Sequence, residues 1–390
     1  MKLDLNLISV IGFYFLVFLF LIVKRKRIEV QSKIFFLFKT LRFNRFLNKI
    51  ANKNPKFWQV LGLIGIPISL GGVILIFVYL SYSIIKFLLV PSASPTIALA
   101  LPGIKVPGSP IFIPFWYGII ALFTVIIVHE ATHGILAEAN KIKIKSSGFG
   151  FLLGLLPLAF VEPDEKKLTN SSTKTQLSVY SGGPFANFLA AGVFMLLAFG
   201  LTPILSQTIE PSGIYLEEIA QGGPAELAGL QKGQIITGIN NLQINKIEDF
   251  ISVLNQTKPG ENIILLTADG TNYSIKTSGN PQNTSKAYIG ITFKQNIKLS
   301  EKAEKYGSFG WLPWHVHQLF FWIYALNLGI GLINLLPLGP IDGGRIMFAT
   351  LNKIIKKKEK AKKYFYYISL ASLMLLLLNI LLPLCKSLLM

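Results

Sequence analysis

Six stretches of this sequence are apolar over a length that can cross a lipid bilayer. A helix needs about 20 such residues to span the hydrocarbon core. Charged residues make up 15% of the chain, against about 25% in soluble globular proteins. The sequence therefore predicts an all-α polytopic membrane protein with about six transmembrane helices, and it excludes a soluble enzyme and a disordered regulator. The stretches are 7–23, 57–90, 111–137, 174–204, 311–338 and 364–388.

The first two apolar stretches differ from the others in their flanks and their length. The first is followed directly by Lys24–Arg27 and by no small-residue cleavage site, so we expect an uncleaved anchor rather than a signal peptide. The second is long for one span and is predicted to form one tilted helix, kinked near Pro67 or at Gly71-Gly72. Cys385 is the only cysteine, which excludes a disulfide framework and a cysteine-rich metal site.

The chain has a net charge of +19, and the placement of its basic residues predicts its orientation. Segments 24–57, 139–175 and 345–363 carry an excess of Lys and Arg, whereas 205–310 is close to neutral. With six alternating spans, the basic segments lie on one side, and the positive-inside rule makes that side cytoplasmic. We expect the N-terminus and 205–310 outside, a prokaryotic plasma membrane, and no nucleic-acid partner. Residues 33–50 interleave Phe and Leu with Lys and Arg, which predicts a helix lying on the inner leaflet.

Residues 205–310 have the composition of a small α+β domain. Apolar runs shorten to strand length there, and Gly, Asn and Thr become common. Residues 248–256 are predicted to form a helix, and 261–277 a hairpin that turns at Asp269-Gly270. We therefore expect one extracytoplasmic domain, inserted between two spans.

The middle of this segment carries a pattern of small and apolar residues. They are Gly223-Pro224-Ala225, Ala228-Gly229-Leu230, Gly233, Ile235-Ile236 and Ile239-Asn240. With this pattern the segment resembles a PDZ domain. The resemblance implies a groove in which an extended peptide, such as the stub of a substrate, is added as a strand. We expect the strand Gly213–Glu217, which enters the domain, to be the edge beside that groove. The alternative is that the domain binds nothing and only blocks access.

The third apolar stretch carries ionisable residues near its end. His129 and His133 lie four residues apart, so on a helix they share one face and offer two imidazoles to one metal ion. Glu130 stands beside the first imidazole, where it can take a proton from water bound to that ion. Such residues at this depth cost several kcal/mol unless they are paired or bound. The sequence therefore predicts one zinc ion inside the membrane, with Glu130 as a catalytic base.

A catalytic zinc site takes three protein ligands and leaves a further position open. Asp342 is the candidate for the third ligand, because it lies on a helix break rich in proline and glycine, near the same end of its span as the histidines. In a membrane, such a break is tolerated only where it is buried in protein or lines a cavity. Glu138 at a helix end, and His315 and His317 at the other membrane face, are poorer candidates.

The motif HExxH and the later motif N-x-x-P-x-x-P-x-D-G (334–343) together resemble the site-2 protease family of zinc intramembrane metalloproteases, peptidase family M50. The family usually has Leu before the aspartate, where this chain has Ile341. A third family element, Gly-Pro-x-x-Asn, occurs as Gly183, Pro184 and Asn187. The resemblance implies that Asn187 holds the substrate strand or stabilises the oxyanion. The alternative for Asn187 is a hydrogen bond between helices.

Residues 141–166 are apolar but rich in glycine, and they are too short for a comfortable crossing of the bilayer. By the family resemblance, we predict a re-entrant β-hairpin that enters from the cytoplasmic side and presents backbone groups beside the zinc. An extended substrate could pair with the edge of such a hairpin. The alternative is an interfacial hydrophobic loop.

These features divide the chain into predicted segments. N-terminal transmembrane helices and a basic cytoplasmic segment occupy 1–110, and a basic segment and the C-terminal helix occupy 351–390. The catalytic membrane core consists of 111–204 and 311–350, and the PDZ-like domain between them is 205–310.

The resemblance implies a zinc-dependent endopeptidase that cuts within the transmembrane helix of single-span, membrane-anchored proteins. Three alternatives stay open: a cation transporter, a PDZ-bearing membrane scaffold without protease activity, and a metalloprotease that acts on soluble substrates. A transporter needs polar residues across the bilayer, whereas here they cluster at one depth. A scaffold would be expected to lack Glu130 or one of the three ligands, and all are present.

Overall fold

The computed structural model describes residues 5–31, 35–90, 101–104, 106, 109, 111–154, 156–281 and 283–389. The contacts divide the chain into two units. The membrane unit comprises Met1–Ala198 and Gln318–Met390, and the inserted unit comprises Phe199–His317.

The helices and strands follow one another along the chain, with two short 3-10 helices at Arg25–Arg27 and Gly307–Trp311. They are α1 (Leu5–Val23), β1 (Ile28–Gln31), β2 (Phe35–Lys39), α2 (Leu41–Lys53), α3 (Pro55–Leu89), α4 (Phe115–Ala139), β3 (Ile144–Leu152), β4 (Leu156–Pro163), α5 (Glu165–Thr169), α6 (Thr173–Gly200), α7 (Thr202–Thr208), β5 (Ile209–Ile219), α8 (Pro224–Leu227), β6 (Ile235–Ile239), β7 (Leu242–Gln243), α9 (Ile247–Gln256), β8 (Asn262–Thr267), β9 (Asn272–Lys276), β10 (Ser278–Asn280), β11 (Asn283–Tyr288), β12 (Ile291–Leu299), α10 (Glu301–Glu304), α11 (Leu312–Ile333), α12 (Asp342–Ile354) and α13 (Lys358–Leu389).

Within the described residues, five helical segments are long and apolar enough to cross a membrane. They are α3, α4, α6 with α7, the segment that ends in α11, and α13. These spans make the chain a multi-pass membrane protein. The apolar part of α1, Leu7–Val23, is shorter than the others, so six spans stay a prediction.

The long helix α3 shows how small residues let the membrane helices approach one another. Asn54 caps its first turn by accepting a hydrogen bond from the Phe57 N–H, and the helix continues through Pro67 and the Gly71-Gly72 pair. A Cβ at Gly72 would clash with the Leu335 side chain, whereas a Cβ at Gly71 would meet nothing within 4 Å. Gly72 therefore allows α3 to pack against the loop that precedes α12.

The segment 141–166 forms an antiparallel hairpin of β3 and β4, in a sheet of order β1-β2-β3-β4. The chain turns at Leu153 and Gly154, which both have positive φ. Gly148 and Gly150 face β2 so closely that a Cβ on either would clash with a β2 carbonyl. The hairpin is therefore present, and its re-entrant path stays a prediction.

The predicted helix over 33–50 is wrong in its first part. Residues 35–39 form β2 and pair with β3, and the helix α2 begins only at Leu41; 33 and 34 lie outside the described residues. The strand depends on a partner more than 100 residues away along the chain. The local alternation of Phe and basic residues therefore could not distinguish a strand from a helix.

The inserted unit is built on an antiparallel sheet of order β12-β5-β6-β8-β9. Helix α9 covers it, with the fully buried Phe250 ring packed edge-on against Phe293 at 5.4 Å between centroids. The predicted turn at Asp269-Gly270 joins β8 to β9. Hydrogen bonds from the Thr267 hydroxyl and the Thr271 N–H hold the pKa of the Asp269 carboxyl below its usual value.

The prediction that Gly213–Glu217 is an edge strand is wrong. These residues belong to β5, which pairs with β12 on one side and β6 on the other. The edges of the sheet are β12 and β9. The error arose because the last strand of the unit returns to pair with the first, a non-local contact that local sequence patterns do not reveal.

Gly71 and Gly72 provide a matched test of this packing. We expect Gly72→Leu to lower the free energy of unfolding by about 1–3 kcal/mol, because the added side chain overpacks the contact with buried Leu335. Gly71→Leu, whose side chain would point into open space, should leave stability unchanged or raise it slightly. The measurement is thermal unfolding of both variants in the same detergent. An equal loss of stability in the two variants would contradict this packing.

Candidate metal centre

Helix α4 supplies the two histidines of the site and the glutamate between them. His129 and His133 are one helical turn apart, and their Nε2 atoms lie 3.2 Å from each other. His129 is buried, while Glu130 and His133 are half-buried. The helix therefore aims both imidazoles at one point.

The loop between α11 and α12 supplies the carboxylate. Asp342 is the first residue of α12 and is buried. A Cβ on Gly343 or Gly344 would clash with the backbone of Leu335–Leu338, and the Gly343 N–H donates to the Asn334 carbonyl at 2.7 Å. The two glycines thus let the chain fold back tightly, which points Asp342 toward α4.

The three side chains converge as a set of metal ligands. Asp342 Oδ2 lies 3.0 Å from His129 Nε2 and 3.2 Å from His133 Nε2. Nitrogen and oxygen ligands at about 2.0–2.1 Å from a tetrahedral zinc stand about 3.3 Å from one another. The separations in this protein therefore match a zinc site.

Helix α6 leaves space beside these ligand atoms. Gly183 faces the histidines so closely that a Cβ there would overlap the Nε2 atoms of both rings. Only a residue without a side chain leaves room for an ion at this position. This space, together with two imidazoles and one carboxylate, fits zinc.

The other nitrogen of each imidazole is also held by α6. His133 Nδ1 lies 2.7 Å from the Val179 carbonyl oxygen, and His129 Nδ1 lies 3.1 Å from the Asn187 side-chain amide. Residues 179, 183 and 187 are spaced by four, so they lie on one face of α6. That face therefore contacts both rings and the space between them.

Glu130 lies beside the ligands and is held by β4. Its carboxylate accepts a hydrogen bond from the Val161 N–H at 2.9 Å. A cavity of about 320 Å³ opens here. Its lining includes His129, Glu130, His133, Phe160, Val161, Tyr180, Asn334, Asp342 and Arg345.

Four residues around the ligands were not predicted as site residues. Gly183 belongs to the Gly-Pro-x-x-Asn motif, and its contact with both rings makes it part of the metal centre. Tyr180 and Asn334 line the cavity, and no local signal pointed to Tyr180. Arg345 also lines it and lies 3.6 Å from Glu165; its position three residues after Asp342, on the same helix face, was a usable signal.

The remaining candidates have other contacts. The Glu138 carboxylate accepts from the Ile144 N–H and the Asn48 amide, so it joins α4 to β3 and α2. Asn187 is fully buried and is not among the residues that line the cavity.

The close approach of Gly183 gives a direct test of the metal centre. We expect Gly183→Ala to lower zinc content from about one ion per chain to below about one-tenth, because the methyl group occupies the space between the Nε2 atoms. Gly192→Ala on the same helix, where nothing lies within 4 Å, should keep its zinc. The measurement is the zinc content per chain of the purified proteins by elemental analysis. Equal zinc contents in the two variants would contradict the assigned site.

The sequence has recognisable relatives. Peptidase family M50 matches residues 117–376. An uncharacterised protein of Methanocaldococcus jannaschii is 31% identical over 312 residues, which is 78% of this chain and 75% of that protein. The zinc metalloprotease RasP of Oceanobacillus iheyensis is 24% identical over 240 residues, or 50% of this chain and 55% of RasP. This chain thus spans about half the length of RasP.

Two further comparisons concern a second protease and the inserted unit. The probable protease eep of Enterococcus faecalis is 21% identical over 48% of this chain and 53% of its own length. The crystal structure of the PDZ domain of an SdrC-like protein from Listeria monocytogenes is 24% identical, covers 21% of this chain and 87% of that domain, and has a TM-score of 0.19. The family match covers more than half of the chain, which therefore belongs to peptidase family M50, the site-2 protease family.

Proposed function

We propose that this protein is an intramembrane endopeptidase that hydrolyses a peptide bond within the transmembrane helix of a membrane-anchored substrate. The observation that carries the proposal is the convergence of the His129, His133 and Asp342 ligand atoms beside Glu130 at a cavity. Helix α4, which bears three of these residues, is itself one of the membrane spans. The chemistry would therefore take place at membrane depth.

Four polar side chains at the cavity have roles in hydrolysis. His129, His133 and Asp342 would hold the zinc, which when bound supplies a Lewis acid that activates water and polarises the scissile carbonyl. Glu130 takes the proton of the attacking water and later passes it to the leaving amine. The hydrogen bond from the Val161 N–H holds the Glu130 carboxylate at the cavity before a substrate binds.

The edge of β4 offers a place for the substrate. β4 is the last strand of its sheet, and its Val161 N–H points away from β3, toward Glu130. Because backbone groups alternate in direction along a strand, the N–H of Ala159 also faces away from β3. A substrate helix must unwind before its scissile bond can be reached, and this edge can pair with the backbone groups that unwinding frees.

The charge pattern supports a proposal for the hairpin and the inserted unit relative to the membrane. The hairpin β3–β4 would enter from the cytoplasmic side, where the basic segments lie, and the inserted unit would be extracytoplasmic. The sequence pattern of that unit supports a PDZ-like role in receiving or excluding the stub of a single-span substrate. The exposed edge of β12, rather than Gly213–Glu217, is where an added peptide strand would pair.

The substitution Glu130→Gln tests the assigned base. We expect the variant to keep about one zinc ion per chain and to lose activity by about 10²–10⁴-fold, because the amide cannot take the proton while the three ligands are unchanged. The measurement is cleavage of a panel of single-span model substrates in detergent, with the cut bond located by mass spectrometry and zinc measured on the same samples.

The outcome separates the candidate functions. Cleavage within the span by the wild type alone supports the intramembrane protease. Cleavage of a soluble peptide but of no single-span substrate would point to a metalloprotease that acts on soluble substrates. A zinc-containing wild type that cuts nothing but moves zinc into liposomes would favour a transporter. A wild type without metal would overturn the ligand set.

A further inference from the structure

We propose that Asn187 is a positioning residue for the metal centre, whose side-chain oxygen accepts a hydrogen bond from Nδ1 of His129 and so fixes the tautomer and orientation of that ring. The inference deepens the proposed function and rests on its zinc site. It differs from the role implied by the family resemblance, in which Asn187 contacts the substrate.

The burial of Asn187 argues against contact with a substrate. Its side chain is fully buried, and it is not among the residues that line the cavity beside the ligands. Its amide lies 3.1 Å from Nδ1 of His129, whereas the ligand atoms surround Nε2, at the other end of the ring. Asn187 therefore supports the ring from behind.

The chemistry of the ring determines what Asn187 must provide. A histidine that binds a metal through Nε2 is neutral and carries its proton on Nδ1, which then needs an acceptor. His133 meets this need with the Val179 carbonyl oxygen at 2.7 Å. By the same reasoning, His129 needs an acceptor at the position of the Asn187 amide.

The side-chain oxygen of Asn187 is the available acceptor. In the structure, the amide nitrogen faces His129 Nδ1, and the Oδ1 atom is buried without a hydrogen-bond partner. The oxygen and nitrogen of an asparagine amide are exchanged by a half-turn of its terminal group, and the hydrogen-bond network decides between the two orientations. The turned amide gives His129 its acceptor and gives Oδ1 a donor, and it moves the amide nitrogen to the buried position that Oδ1 held.

The experiment compares zinc affinity in the full-length protein. Wild type, Asn187→Leu, Asn187→Asp and Asn327→Leu are purified in the same detergent, and zinc affinity is measured by competition with a chelator. Asn327 is a matched control: it is fully buried in α11, its amide donates to the Ile323 carbonyl, and its Oδ1 also lacks a partner. The hydrogen bond that the structure shows for the Asn327 side chain is made within α11 and involves no zinc ligand.

We expect Asn187→Leu to weaken zinc binding by about 10–100-fold, because outer partners of metal-bound histidines contribute that much. Asn187→Asp keeps an acceptor of the same shape and should bind zinc at least as tightly as wild type. Asn327→Leu should bind zinc as wild type does. When Co²⁺ replaces zinc, the visible spectrum of Asn187→Leu should differ from that of wild type, and the spectrum of Asn327→Leu should not.

Two results would overturn the inference. The first is a wild-type zinc affinity for Asn187→Leu. The second is an Asn187→Asp variant that binds zinc normally but has lost cleavage. Because a carboxylate cannot donate to an oxyanion, this result would show that Asn187 acts on the substrate. The Asn187→Asp variant also provides the test if Asn187→Leu does not fold. A wild type that binds no zinc would instead refute the proposed function itself.

Discussion

Two imidazoles and a carboxylate lie within 3.2 Å of one another in an apolar helix bundle, and the structure around them depends on this cluster. Buried ionisable groups are stable only when they are paired or hold a metal. The ligands come from two separate parts of the chain, α4 and the start of α12. A zinc ion would therefore join these elements as well as serve the chemistry.

One face of α6 serves this cluster over two helical turns. The carbonyl of Val179 contacts one imidazole, Gly183 leaves the space between the rings, and Asn187 contacts the second imidazole. Gly183 and Asn187 of the same motif thus both contact the histidines of the metal centre. Gly343 and Gly344 act similarly for Asp342, since any side chain there would displace the loop. Small residues give this site its geometry because they let backbones approach it.

The sequence predicted what depends on local pattern. Spans follow from apolar length, and the spacing of His129 and His133 on a helix predicts two imidazoles on one face, as the structure has them. The same reasoning failed where a strand depends on a distant partner. Residues 35–39, predicted as part of a helix, form a strand that pairs with β3. The strand β5, predicted as a sheet edge, lies inside the sheet because β12 pairs with it. Tyr180 reaches the cavity only through tertiary packing.

The hydrogen bond between Val161 and Glu130 has a consequence for the order of events. The Val161 N–H carries one hydrogen, so it can be donated fully either to the glutamate or to the carbonyl of a peptide lying along β4. A peptide that takes this N–H would remove the contact that ties the glutamate to β4. An extended chain that binds at this point of β4 would therefore compete with the glutamate for one donor, and its binding would detach the glutamate from the strand.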